Sequence, residues 1–187
     1  MDSTALPFLT VAELAQLIQQ REVSPVDVVQ AYLDRIDQVD SKLNSYITVC
    51  RDEALEEARL AEEAIAAGNY LGPMHGIPVS VKDQMKTKGI LTTCGSKILE
   101  DYVPDEDATV IANLKRSGAI LLGKNNMSGF AMGDGSDAPY GIPRNPWSLE
   151  HSPGATSSGS GAATAASLCA TSLGEDTTGS IRSPASF

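Results

Sequence analysis

Apolar positions recur at helical spacing through roughly the first seventy residues and then gather into short runs. Thr10-Val-Ala-Glu13 has the spacing of a capping box, and the pattern behind it predicts an amphipathic helix to about Arg21. Ser24-Pro25-Val-Asp27 predicts a second start, with proline at the first helical position, where its missing N–H costs nothing. Val28, Val29, Tyr32, Leu33 and Ile36 fall on one face of that helix. β-Branched residues dominate Ser45–Cys50 and predict a strand. Residues 52–67, rich in alanine and glutamate, predict a helix stopped by Gly68.

The centre alternates. Ile77–Val81 predicts a short buried strand, residues 107–116 a helix, and Ala119–Leu122 another strand. Strand–helix alternation predicts an α/β layered fold, and no internal repeat is present. Residues 133–158, rich in Gly, Pro, Ser and Asp, predict a long irregular loop of the kind that carries function. From Ser152 to Gly174 no side chain is charged. A flexible linker is one reading of that stretch. The density of Ala162, Ala163, Ala165, Ala166, Leu168 and Cys169 favours the other, a buried helix from near Gly159. Such a helix aims its first N–H groups at whatever sits in the turn before it.

Composition narrows the class. The chain has 187 residues, 42% of them hydrophobic and 20% charged, with net charge −10. Residues 1–70 hold 13 acidic and 5 basic side chains, against 11 and 9 in the remainder. This balance argues against direct nucleic-acid binding, which needs a basic face. The three cysteines, Cys50, Cys94 and Cys169, are odd in number and widely spaced, so free thiols in a reducing compartment are expected. The first residues lack the pattern of a signal peptide, and no stretch is apolar enough to span a bilayer. The expected location is cytoplasmic.

Three residues could carry chemistry together. Lys82 closes the apolar run Gly76-Ile-Pro-Val-Ser-Val-Lys82. A lysine emerging from a buried strand either loses charge and becomes a base near neutral pH, or pairs with Asp83 or another carboxylate. Thr156 sits in the turn Gly154–Gly161, and Ser180 lies 24 positions later in Asp176-Thr-Thr-Gly-Ser180. A hydroxyl nucleophile needs a base, and the N–H groups of Thr177, Thr178, Gly179 and Ser180 could converge on an oxyanion. A plain polar turn is the alternative there. His75 and His151 leave a Ser-His-Asp arrangement open, but no Gly-x-Ser-x-Gly elbow supports it. Gly154–Gly159 also mimics the opening of a phosphate-binding loop, yet Ser160 stands where the lysine is required.

Taken in order, several segments resemble the amidase signature family of Ser–cis-Ser–Lys amidohydrolases, from about Leu9 to the last residue. They are Gly72-Pro-Met-His-Gly-Ile-Pro-Val-Ser-Val-Lys-Asp83, Gly123-Lys-Asn-Asn-Met127, Phe130-Ala-Met-Gly133, Arg144-Asn-Pro-Trp147, the Gly/Ser turn, and Gly174–Ser186. The resemblance implies a mixed β-sheet flanked by helices. It casts Ser180 as nucleophile, Lys82 as base and Thr156 in the bridging cis-serine position, with Thr177, Thr178 and Gly179 as oxyanion donors. Ser157, Asp176 and Arg182 would support the loops. The implied reaction is amide hydrolysis through an acyl-enzyme, without metal or organic cofactor, on a small-molecule amide. A glutamine-hydrolysing amidotransferase subunit with partner subunits, or an inactive remnant that binds a partner, are the alternatives; a homodimer and no membrane contact are further expectations. Three letters depart from the family pattern: Thr156, Ala155 for a glycine, and Thr178 for a glycine whose backbone, at positive φ, would strain a β-branched residue. Family members are much longer. Residues 1–187 are therefore expected to be the N-terminal portion of one amidase domain, a helical segment to about 70 and a truncated α/β core from 71, leaving an unpaired sheet edge and exposed apolar surface.

Overall fold

The computed structural model describes residues 2–133 and 138–187; positions 134–137, part of the loop expected over 133–158, lie outside the described residues. After a 3-10 segment at Ser3–Phe8 comes α1 (Val11–Gln19). Its capping box closes in both directions: Thr10 N–H donates to Glu13 Oε2 at 2.7 Å, and Glu13 N–H donates to Thr10 Oγ1 at 3.2 Å. Helix α2 (Pro25–Leu43) starts beneath Ser24, whose Oγ accepts Val26 N–H at 2.9 Å. It stops at Asn44, in the left-handed region at φ 53°, a conformation asparagine tolerates. Strand β1 (Tyr46–Val49) leads into α3 (Arg51–Ala66).

The predicted stripe Val28, Val29, Tyr32, Leu33 and Ile36 is buried. It belongs to the same core as Ala54, Ala58 and Ala61 of α3, whose small side chains let the two helices pack closely.

The second part runs β2 (Pro78–Lys82), α4 (Thr109–Arg116), β3 (Ile120–Asn125), α5 (Ser158–Ala165), β4 (Thr171–Leu173) and α6 (Arg182–Ser186). The strands form one sheet in the order β1-β3-β2-β4, with β1 antiparallel to β3 and β2 parallel to both of its neighbours. This is the mixed α/β sheet with flanking helices that the sequence led us to expect. Every residue of β2 is buried.

Side chains alternate across a strand, so β2 sends neighbours to opposite faces. Ser80 is level with Ser172 of β4, and Lys82 with Asn125 of β3. These share the face on which α5 lies, where Ser160 Oγ donates to Asn125 Oδ1 at 3.4 Å. Val81 is level with Lys124, on the other face.

Four elements depart from expectation. Strand β3 runs to Asn125 rather than Leu122, because buried partners satisfy Lys124 and Asn125 where the apolar run has already ended. Helix α4 starts at Thr109, since Asp107 is held outside it by Lys88 N–H and Lys115 Nζ. β4 and α6, three and five residues long, are too short to leave a periodic signal.

Candidate active site

Lys82 ends β2 with its side chain fully buried. Its Nζ donates to Thr156 Oγ1 at 2.8 Å and to Glu175 Oε2 at 3.3 Å. Burial pulls the ammonium below the ordinary lysine range, while the hydrogen bond and charge of Glu175, then the charge of Asp176, push the other way. Asp83 is not its partner. One residue along, Asp83 accepts Thr93 N–H at 2.8 Å and Thr93 Oγ1 at 2.5 Å, and lies 3.5 Å from Lys124 Nζ in a wholly buried ion pair. Lys124 also donates to Met85 O and Thr92 Oγ1.

The turn before α5 brings Thr156 and Ser157 to this lysine. Gly154 is the residue at positive φ (122°), and a Cβ there would collide with the backbone of Pro184. Ala155 lies outside the left-handed region, so alanine fits where the family pattern led us to expect glycine. Ser157 joins the two loops: its N–H donates to Ser180 O at 3.2 Å, its Oγ donates to Glu175 O at 3.1 Å and accepts Glu175 N–H at 3.4 Å. All described peptide bonds are trans, those flanking Thr156 included, where the family pattern implies a cis bond.

The loop between β4 and α6 is organised by Asp176. Its Oδ1 accepts Gly179 N–H at 2.6 Å, and its Oδ2 accepts the N–H groups of Ile181 and Arg182, each at 3.0 Å. Arg182 adds Nε and Nη2, at 3.0 and 2.9 Å. The guanidinium first, then these N–H groups, hold the carboxyl far below the usual carboxylate range. Two expectations change here. Gly179 takes the positive φ (111°) and Thr178 does not, so the strain foreseen at Thr178 is absent. Gly179 N–H, expected as an oxyanion donor, is instead bonded to Asp176. Thr177 and Thr178 are exposed, and their N–H groups have no acceptor among the described residues. Ser180 is buried beside Ser157, and no hydrogen bond among the described residues joins its Oγ to Thr156.

The histidines are engaged elsewhere. His75 Nδ1 accepts Leu71 N–H at 3.2 Å, and His151 Nδ1 lies 2.8 Å from Ser148 Oγ. Glu175 is the site residue to which the sequence assigned no role. A cavity of about 420 Å³ opens beside the site, lined in part by Trp147, Ser157, Ser172, Gly174, Ile181 and Phe187.

The geometry brings a buried lysine to a hydroxyl in a turn tied to the Ser180 loop, and the family model described as Amidase matches residues 27–187. The chain belongs to the amidase family. Over 183 residues it is 48% identical to the A subunit of the glutamyl-tRNA(Gln) amidotransferase of Carboxydothermus hydrogenoformans, a match covering 97% of this chain and 38% of that protein. Fatty acid amide hydrolase superposes with a TM-score of 0.93 at 31% identity, over 98% of this chain and 33% of that one. The peptide amidase of Stenotrophomonas maltophilia superposes with a TM-score of 0.87 at 37% identity, over 94% and 38%. This amidase-family chain thus spans 33–38% of the length of those relatives.

Proposed function

We propose that this chain carries the catalytic residues of an amidohydrolase that cleaves a carboxylic amide C–N bond, as the N-terminal portion of one amidase domain. The observation that carries this reading is the buried 2.8 Å contact between Lys82 Nζ and Thr156 Oγ1. In the reacting state the neutral amine accepts the Thr156 proton, Thr156 takes the proton of Ser180, and Ser180 Oγ attacks the carbonyl carbon. N–H groups of Thr177 and Thr178 receive the oxyanion. The proton then returns through Thr156 to the departing amine as the C–N bond breaks, and water releases the acid from the acyl-enzyme. Catalytic hydrogen bonds commonly tighten only when substrate is bound, which accommodates the unlinked Ser180 Oγ. No step requires a metal or organic cofactor. Release of ammonia or amine from simple amides should disappear in Ser180→Ala; normal turnover in that variant would refute the assignment.

A second reading draws on the likeness to amidotransferase A subunits, 48% identical over 97% of this chain in the protein of Carboxydothermus hydrogenoformans. Here the same residues hydrolyse glutamine and hand ammonia to a partner subunit in a reducing, cytoplasmic compartment. Glutaminase activity arising only with partner subunits and tRNA would favour it; equal activity on unrelated amides by the isolated protein would exclude it.

A further inference from the structure

Glu175 lies against the proposed base, and the surrounding groups single it out. Directly after β2, Asp83 is turned to the opposite sheet face and paired with Lys124. From β3, Asn125 is neutral and bonded to Ser172 Oγ. The turn before α5 presents only the hydroxyls of Thr156 and Ser157. In the loop after β4, both oxygens of Asp176 are occupied by loop N–H groups and Arg182. Gln84, beside the carboxylate, is uncharged. Glu175 is therefore the one carboxylate among the described residues with an oxygen in contact with Lys82 Nζ.

That carboxylate is fixed in place. Its second oxygen accepts Thr177 Oγ1 at 2.7 Å, and its backbone N–H and C=O are both bonded to Ser157 Oγ. The Glu175 side chain is 32% exposed, whereas the lysine is fully buried, so a solvent-accessible anion faces a desolvated cation.

We infer that Glu175 is a positioning residue that holds Lys82 as the ammonium in the resting site and thereby sets the pH above which the base becomes available. This rests on the reading of Lys82 as general base. An ammonium has three donors and no acceptor, so in that state it cannot take the Thr156 proton. An opposite charge at this distance favours the charged form, against the burial that disfavours it. The contact with Thr177 extends the control to the loop proposed to receive the oxyanion.

The test is to titrate Lys82 directly, by NMR of the protein labelled at lysine Nζ with nitrogen-15, using Lys82→Met to assign the signal. Wild type and Glu175→Gln are compared, because glutamine keeps the shape and the acceptor for Thr177. The same samples give the pH dependence of Ser180 acylation by a small fluorophosphonate. The Lys82 midpoint should fall by about one pH unit or more in Glu175→Gln. The acid limb of acylation should move with it, so that labelling below the limb quickens about tenfold. Glu175→Ser, which also removes the charge, should shift both in the same direction and serves if the glutamine variant does not fold. A midpoint that does not move overturns the inference, as does an acid limb that stays put while the midpoint moves. A midpoint that moves in a protein whose Ser180 is never acylated supports the electrostatic hold by Glu175 and refutes Lys82 as the base for Ser180, so the two failures are separable.

Discussion

A single hydroxyl links Lys82 to the rest of the proposed chemistry. Thr156 differs from the serine of the family pattern by one methyl group, and the structure buries it without disturbing the 2.8 Å contact to Lys82. Thr156→Val keeps the shape and removes the relay, so Ser180 acylation should slow by at least about 100-fold, while Thr156→Ser should stay near wild type. Equal rates for valine and threonine would show that the hydroxyl carries no proton. The lysine adds a pH dependence. Burial lowers its proton affinity, and only the neutral amine can act as base, so activity should rise with pH on a limb below the ordinary lysine range. A limb at or above that range would contradict the assignment. Two sequence departures carry no positive-φ strain, since Gly154 and Gly179 hold the positive φ angles while Ala155 and Thr178 do not.

At the scale of elements, the alternation of β2 assigns adjacent residues to different tasks: Lys82 meets the Thr156 turn, and Asp83 meets Lys124 and the Thr93 loop. Removing one member of a fully buried ion pair leaves an uncompensated charge. Asp83→Ala should cost about 3–5 kcal/mol in urea unfolding, and Asp83→Ala with Lys124→Met should recover most of that loss. If the double variant were no more stable than the single one, the pair would not be the source of the loss. The capping box, the α2 stripe and the placement of Lys82 at a strand end were legible because each is written in neighbouring residues. Strand parity alone also separates Asp83 from Lys82. The partner Glu175 was not legible: it lies 93 positions from Lys82 and arrives only because β4 pairs with β2. Strand β4 is itself too short to announce that pairing.

Across the whole molecule, β4 pairs with β2 on one side and with no other described strand, and apolar surface gathers beside it. Trp147 is 78% exposed on the rim of the cavity that Ile181 and Phe187 also line. It is the protein's only tryptophan. Its fluorescence should therefore resemble that of indole in water and be readily quenched by iodide; a blue-shifted, shielded emission would mean that this face is covered in solution. The central claim, however, concerns Ser180, and intact-mass analysis after exposure to a small fluorophosphonate tests it most directly. The account predicts one adduct on the folded protein, absent in Ser180→Ala and strongly slowed in Lys82→Met. No adduct on the folded wild type, or equal labelling of Ser180→Ala, would contradict it.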